Sequence, residues 1–193
     1  DAGNTKSYPG SGSTWTDTIG GNTATLSSMG GDQHYSANGG YFDFDGTADY
    51  IDLGTQLNSD ISLTDVTISF WAYIDSTAAD EAFVSIGSFT VNRPLMIWYD
   101  TTVGATDNTG TNDVGGGSTN AIAVMVTDST SEKRFTTSDN ALSATTWHNI
   151  SVVLDVTNNT FYTYIDSVEA AKWVDNNTSG GINSSSLQFL ISP

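Results

Sequence analysis

Val66-Thr-Ile-Ser-Phe-Trp-Ala-Tyr-Ile74 is the stretch of sequence that decides the fold class. Its apolar side chains recur at every second position, so they share one face of an extended chain. They are Val66, Ile68, Phe70, Ala72 and Ile74. The opposite face carries Thr67, Ser69, Trp71 and Tyr73. Because large side chains occur on both faces, the pattern predicts a strand that is partly covered on both sides and central in a sheet sandwich.

Similar short strand patterns occur on either side of this stretch. We predict strands at 40–45, 50–53, 82–86, 89–91, 95–99, 121–126, 132–136, 147–155, 160–165, 168–173 and 186–191. Gly87-Ser88 and Asn158-Asn159 predict hairpin turns. Helical spacing of apolar residues is not sustained anywhere in the sequence. The prediction is an all-β, two-sheet antiparallel sandwich (a jelly roll), formed by residues 1–193 as one domain.

The composition excludes several classes of function. Lys and Arg number 5 against 22 Asp and Glu, which gives a formal net charge of -17. A nucleic-acid interface needs a basic stripe, and an anionic membrane surface repels such a chain. The sequence has no Cys, so disulfides and thiolate chemistry are excluded. No apolar run reaches the roughly 20 residues of a membrane span, so we expect no membrane insertion.

Five segments in order resemble a known fold family. They are residues 1–17, 39–54, 67–74, 147–155 and 162–166, and the most specific block is Phe44-Asp-Gly-Thr-Ala-Asp-Tyr-Ile51. Together they resemble the concanavalin-A-like, laminin-G-like jelly roll, and are most similar to such domains in phage structural proteins. The resemblance implies a two-sheet sandwich, often stabilised by calcium and often glycan-binding. The family pattern continues with further strands after its last matching segment, so we expect the sequence to be part of a longer chain.

A calcium site is predicted where carboxylates flank a glycine turn. Asp45 and Asp49 lie on either side of Gly46, and Asp17 and Asn22 in an earlier loop could complete the shell. Calcium prefers six to eight oxygen ligands from carboxylates and carbonyls. The alternative is that Asp45 and Asp49 accept hydrogen bonds from the backbone of their own turn.

A ligand site is predicted at an aromatic pair and the long polar loop that follows it. Sugar sites combine an aromatic ring with amide and carboxylate groups. The proposed contacts are Trp98, Tyr99, Asp100, Asp107, Asn108, Asn112 and Asp113. The alternative is that the two rings belong to the core and that the loop is only solvated.

Paired catalytic acids are missing from the sequence. Glycoside hydrolysis needs two carboxylic groups about the scissile bond, whereas Glu81, Glu132 and Glu169 are isolated. A Ser-His-Asp set is compatible with the composition, but the sequence has no Gly-x-Ser-x-Gly elbow. We interpret His148 as a hydrogen-bonded structural residue.

The sequence therefore predicts a non-catalytic module on a virion surface, such as a capsid decoration, head fibre or tail appendage. Its expected partners are other virion structural proteins or host surface glycans, and it could form homo-oligomers. The alternative is a secreted or cell-surface lectin-like adhesion module of a cellular protein. The expected location is therefore a virion surface or the extracellular space.

Overall fold

The structure is a computed structural model that describes residues 2–30, 33–34, 39–56, 65–88, 91–102, 117, 119–127, 132–174 and 189–191. Within these ranges the chain forms only strands, turns and bends. No described segment forms a helix that is long and apolar enough to cross a membrane. The described strands, in chain order, are β1 (Thr14–Thr16), β2 (Thr23–Ser27), β3 (Gln33–His34), β4 (Tyr41–Phe42), β5 (Tyr50–Asp52), β6 (Val66–Tyr73), β7 (Glu81–Ser88), β8 (Val91–Asp100), β9 (Ala121–Thr127), β10 (Glu132–Thr136), β11 (Trp147–Asp155), β12 (Thr160–Ile165), β13 (Val168–Val174) and β14 (Phe189–Ile191).

Two large antiparallel sheets and one small one organise these strands. The larger sheet has eight strands in the order β1-β2-β5-β14-β7-β8-β9-β10. The second sheet has four strands in the order β13-β12-β11-β6, and β3 pairs with β4 in a separate two-stranded sheet. Strand β14 lies between β5 and β7 although it comes last in the sequence. The predicted all-β antiparallel sandwich is confirmed.

The main core lies between the eight-stranded and four-stranded sheets. Alternate residues of the long strands supply it, because successive side chains of a strand point to opposite faces. Ile97 on β8, Val124 on β9 and Val152 on β11 are fully buried in this cluster. Phe135, Phe161 and Trp173 stack in it with ring centroids 5.2 to 6.0 Å apart. A second cluster around Tyr8 and Ile51 packs under β1 and β2.

Strand β6 differs from its prediction in one respect. It lies at an edge of the four-stranded sheet and is hydrogen-bonded to β11 on one side, rather than central. Its inner residues face the core as expected, with Ala72 buried. Its outer residues Trp71 and Tyr73 are exposed, so the prediction that both faces are covered is wrong.

The boundaries of other strands show where local patterns were incomplete. The turn predicted at Gly87-Ser88 is wrong, since both residues belong to β7 and the register shifts there. Gly87 adopts a positive φ of 87° at this bulge, a backbone conformation that few other residue types tolerate. The hairpin at Asn158-Asn159 is confirmed. Strands β1 and β2 were not predicted, although Thr23-Ala-Thr-Leu-Ser27 alternates in burial.

Candidate ligand-binding face

The outer face of the four-stranded sheet carries exposed and half-buried aromatic and polar side chains. The register pairs Tyr73 with Trp147 and Trp71 with Asn149, and residues in register share a face of the sheet. Trp71 is 64% exposed and Trp147 is 44% exposed. We call this surface the aromatic face. It consists of Ser69, Trp71, Tyr73, Trp147, Asn149, Ser151, Tyr162 and Tyr164.

Ring contacts join the aromatic side chains at one end of this face. The Trp147 ring lies 5.5 Å from Tyr73 and 5.7 Å from Tyr41, measured between centroids. Tyr41 is on β4, so the small sheet borders the aromatic face. Single exposed hydrophobic residues are ordinary on proteins, but contiguous ones mark interaction sites. These rings form such a contiguous group.

Hydroxyl and amide groups lie beside the rings. Ser69 Oγ and Ser151 Oγ are 2.7 Å apart, and Ser151 Oγ donates to Asn149 Oδ1 at 3.3 Å. Asn149 Nδ2 donates to the Phe70 carbonyl at 3.4 Å, which fixes the orientation of the amide. Each hydroxyl has one donor and two acceptor positions, so Ser69 and Ser151 keep the capacity for further hydrogen bonds.

A second aromatic pair lies two strands away, on β12. Tyr162 and Tyr164 stack with centroids 6.0 Å apart, and Lys172 Nζ lies 5.7 Å from the Tyr162 ring centroid. Burial raises the pKa of Tyr164, and the charge of Glu169 adds to this effect. A tyrosine hydroxyl is protonated at neutral pH even without such a shift, so Tyr164 can donate a hydrogen bond.

The predicted ligand residue Trp98 lies on the other sheet and is covered. Its indole Nε1 donates to Asp100 Oδ2 at 2.8 Å, and the Arg134 guanidinium lies over its ring at 4.7 Å. Arg134 also pairs with Asp100. Only 7% of Trp98 is exposed, and it packs with Met96 and Met125. We call Trp98, Asp100 and Arg134 the covered network.

The other predicted ligand residues divide into two groups. Tyr99 lies in the main core and is fully buried, so it is not placed for contact with a ligand. This position agrees with the alternative that the aromatic pair is structural. Four predicted contacts lie outside the described residues, so their prediction stays a prediction. They are Asp107, Asn108, Asn112 and Asp113.

Asp45 and Asp49, predicted as metal ligands, form a closed turn with each other. Asp45 Oδ1 accepts hydrogen bonds from the backbone N–H groups of Thr47 and Ala48, both at 2.8 Å, and of Asp49 at 3.2 Å. Asp49 Oδ2 accepts the Asp45 N–H at 3.0 Å. The three hydrogen bonds to Asp45 Oδ1, the one from Ala48 first, lower the pKa of Asp45. The carboxylates thus bind their own turn, as the alternative interpretation expected.

Asp17 and Asn22 form a similar turn between β1 and β2. Asp17 accepts hydrogen bonds from the N–H groups of Ile19 at 2.8 Å and Gly20 at 2.7 Å. Its own N–H donates to the Asn22 carbonyl at 2.7 Å. No three Asp, Glu or His side chains in the described ranges gather as metal ligands would. Bound calcium stays a prediction.

Ser143, His148 and Asp166 form a hydrogen-bonded chain at the end of the sheet nearest Trp147. His148 Nδ1 is 2.7 Å from Asp166 Oδ2, and Nε2 is 3.0 Å from Ser143 Oγ. Asp166 Oδ1 also accepts the Asn149 N–H at 2.9 Å. The hydrogen bond from His148, more than that from Asn149, lowers the pKa of Asp166. The prediction of a hydrogen-bonded His148 is confirmed.

Serine hydrolases use the same three residue types, but the main chain here is placed differently. The Ser143 N–H donates to His148 Nε2 at 3.3 Å. In a hydrolase, the N–H groups around the nucleophile bind the oxyanion instead. The neighbouring Thr145 N–H donates to the Ile74 carbonyl at 2.8 Å, so the loop is tied to the end of β6. We interpret the chain of side chains as a structural clamp.

Sequence reasoning missed the aromatic face although its signal was available. Trp71 and Tyr73 were recognised as the outer side of β6, but they were assigned to a covered surface. Trp147 was predicted only as the first residue of the strand at 147–155. Tryptophan at a strand position whose inward neighbours are already apolar is the pattern that could have identified this face.

Comparisons with known proteins show likeness in structure but not in sequence. No protein-family model matches the chain, and no curated protein matches it. A structure of NanB with optactamide is 14% identical with a TM-score of 0.57, covering 79% of this chain and 22% of NanB. The enzymatically active domain of tailspike protein 2 from bacteriophage CBA120 is 13% identical with a TM-score of 0.51. That match covers 79% of this chain and 22% of the tailspike chain.

A carbohydrate-binding domain has the same fold. The CBM40 domain of the Ruminococcus gnavus IT-sialidase, bound to α2,6-sialyllactose, is 11% identical with a TM-score of 0.50. The match covers 77% of this chain and 75% of that domain. This chain thus spans less than a quarter of NanB and of the tailspike domain, but most of the CBM40 domain. At these identities the comparisons establish the β-sandwich fold and no more.

Proposed function

We propose that this protein is a non-catalytic glycan-binding module and that its aromatic face contacts the sugar. The observation that carries the proposal is that Trp71, Tyr73 and Trp147 are exposed together on one sheet face, with the Tyr73 and Trp147 rings in contact. A folded protein gains stability by covering such rings, and the main core already covers comparable ones. Rings left exposed together are therefore best explained by a ligand.

The chemistry of the face favours a sugar over a purely apolar partner. A pyranose ring presents an apolar face of C–H groups and a rim of hydroxyls. Indole and phenol rings can stack on the first, while Ser69, Ser151 and Asn149 can exchange hydrogen bonds with the second. The similar fold of a CBM40 domain bound to sialyllactose supports the proposal by analogy.

The proposed setting is the surface of a virion, where the module would meet host glycans. The likeness in fold to a phage tailspike domain supports this setting. A secreted or cell-surface adhesion module is the alternative, supported equally by the likeness to the CBM40 domain. Mass spectrometry of purified particles from the source distinguishes them, since only the virion protein co-purifies with capsid proteins in fixed ratio.

A glycan array of the purified protein tests the binding function. The parent protein is compared with Trp71→Ala and with Ile19→Ala, an exposed hydrophobic residue in the turn between β1 and β2. We expect binding by the parent and by Ile19→Ala and a loss of about tenfold in Trp71→Ala. Parallel arrays in calcium and in EDTA determine whether a metal contributes. Binding that Trp71→Ala leaves intact would show that the sugar binds elsewhere.

A further inference from the structure

We infer that the aromatic face takes an uncharged glycan chain of more than one sugar, lying across the strands from Trp71 to Tyr164. This inference rests on the proposed function and specifies the class and the orientation of the ligand. It follows from the arrangement of aromatic and polar groups along the face and from the charges around it.

The register places the aromatic groups on both sides of a polar strip. Ser151 on β11 lies opposite Ser69 on β6 and opposite Tyr164 on β12, so the three residues form one row across the sheet. Neighbouring strands are about 4.8 Å apart, so β6 and β12 are separated by about 10 Å. Trp71 is two residues from Ser69 along β6. A single pyranose ring is shorter than this separation, whereas a chain of sugars can reach both ends.

The polar strip can hold the middle of such a chain. Ser69 and Ser151 are hydrogen-bonded to each other, and Asn149 accepts from Ser151. These bonds fix the positions of the hydroxyls while leaving acceptor lone pairs on both serines. The Tyr164 hydroxyl adds a donor at the far end of the row, because a phenol is protonated at neutral pH. Stacking at both ends and hydrogen bonding between them match successive units of one chain.

The charges that border the face disfavour acidic sugars. Asp166 is in the turn after β12 and Glu169 is opposite Tyr164, while Lys172 lies over the Tyr162 ring. Asp155 ends β11 on the same side of the sheet. Among the described residues, three carboxylates thus accompany one ammonium group, in a protein whose formal net charge is -17. A chain of uronic or sialic acids meets repulsion from this field, and a neutral chain does not.

Titration calorimetry with matched probes tests this inference. The probes are glucose, cellobiose and cellohexaose, the corresponding neutral mannose and N-acetylglucosamine hexamers, and a C6-oxidised glucuronic acid hexamer. We expect at least one neutral hexamer to bind more than tenfold better than its monosaccharide, and the acidic hexamer about tenfold more weakly than its neutral counterpart at low salt. Added salt should reduce the difference in affinity between the neutral and the acidic hexamer, because it screens charge.

Two variants test the orientation of the chain. Tyr164→Ala should weaken the hexamer about tenfold and leave a disaccharide bound at the Trp71 end unchanged, whereas Trp71→Ala should weaken both. Val168→Ala, an exposed position at the start of β13, is the control. Equal affinities for neutral and acidic hexamers, or a hexamer affinity that Tyr164→Ala leaves unchanged, would overturn this inference while the proposed function stands. Loss of all glycan binding on the array overturns the proposed function itself.

Discussion

The two large sheets use tryptophan on their outer faces in opposite ways. Trp98 on the eight-stranded sheet lies under the Arg134 guanidinium and donates to Asp100, and only 7% of it is exposed. Trp71 on the four-stranded sheet is 64% exposed. Both are followed by further aromatic or polar residues in the sequence, yet one stabilises the fold and the other is free to meet a ligand.

The difference arises from the strands beside each tryptophan. Strand β8 is interior to its sheet, and β10, two strands away, supplies the arginine that covers the ring. Strand β6 is an edge strand, and its neighbour β11 places Asn149 and Trp147 beside the outer residues. Exposure in the folded state, rather than residue type or the nature of the following loop, is what separates Trp71 from Trp98.

The largest expected effect is on the free energy of unfolding, when the covered network is disrupted. Trp98→Ala removes a buried side chain and should lower the free energy of unfolding by about 3–5 kcal/mol. Trp71→Ala should lower it by only about 0.5–1 kcal/mol, because it loses mainly cross-strand contact. Denaturation in urea measures both. Should Trp98→Ala not fold, Trp98→Phe provides a smaller cavity for the same test. Equal losses in the two alanine variants would contradict the assignment of covered and exposed faces.

The next effect concerns the charges that cover Trp98. Asp100→Asn removes the carboxylate that binds Trp98 Nε1, the Thr102 N–H and Arg134, and should cost about 2 kcal/mol of stability. Arg134→Met keeps an apolar cover over the ring. If the two groups act together, the double variant is less destabilised than the sum of the single variants. Additive losses in this double-mutant cycle would show that the pair does not act as a unit.

Acid should act on the sheet that carries the aromatic face. Asp65 accepts the Thr157 N–H and hydroxyl at one end of this sheet, and Asp166 binds His148 at the other. These hydrogen bonds lower the pKa of both carboxyl groups. A depressed pKa in the folded state contributes stability above the unfolded value of about 4, and this contribution is lost as the pH falls through the folded pKa.

Thermal unfolding between pH 7 and pH 2 measures this contribution. The melting temperature of the parent should fall below about pH 4. The melting temperature of an Asp65→Asn/Asp166→Asn double variant should be lower than that of the parent at neutral pH and should fall less on acidification. Identical pH profiles for parent and double variant would mean that these two groups do not carry the acid sensitivity.

The smallest expected effect is that of calcium. Because Asp17, Asp45 and Asp49 are engaged by backbone N–H groups of their own turns, we expect the same melting temperature in calcium and in EDTA. Differential scanning calorimetry provides the comparison. A melting temperature that is higher in calcium than in EDTA, with the difference abolished in Asp45→Ala, would establish the metal site predicted from the sequence.

Much of the fold could be predicted because strands leave a local pattern. The alternation at 66–74 and 147–155 correctly located β6 and β11, and Asn158-Asn159 located the hairpin after β11. Sheet order leaves no such pattern. Whether β6 lies at an edge depends on its pairing with a strand about 80 residues away, so the exposure of Trp71 could not be read from its neighbours in sequence.

The candidate site was harder to predict for the same reason. The loop after Trp98 suggested a ligand, but Arg134, which lies on another strand, lies over the Trp98 ring. The aspartates around Gly46 had the composition of a metal site and of a capped turn alike, because carboxylate oxygens accept N–H groups as readily as they bind cations.

The position of β14 has a consequence for how the protein is made. Strand β14 joins β5 to β7, and so connects β1, β2 and β5 with β7 to β10 in one sheet. During synthesis on a ribosome, the edges of β5 and β7 stay unpaired until residues 189–191 have emerged. Unpaired strand edges invite association between chains. We therefore expect the nascent protein to be prone to aggregation until its last described strand joins β5 to β7 in the larger sheet.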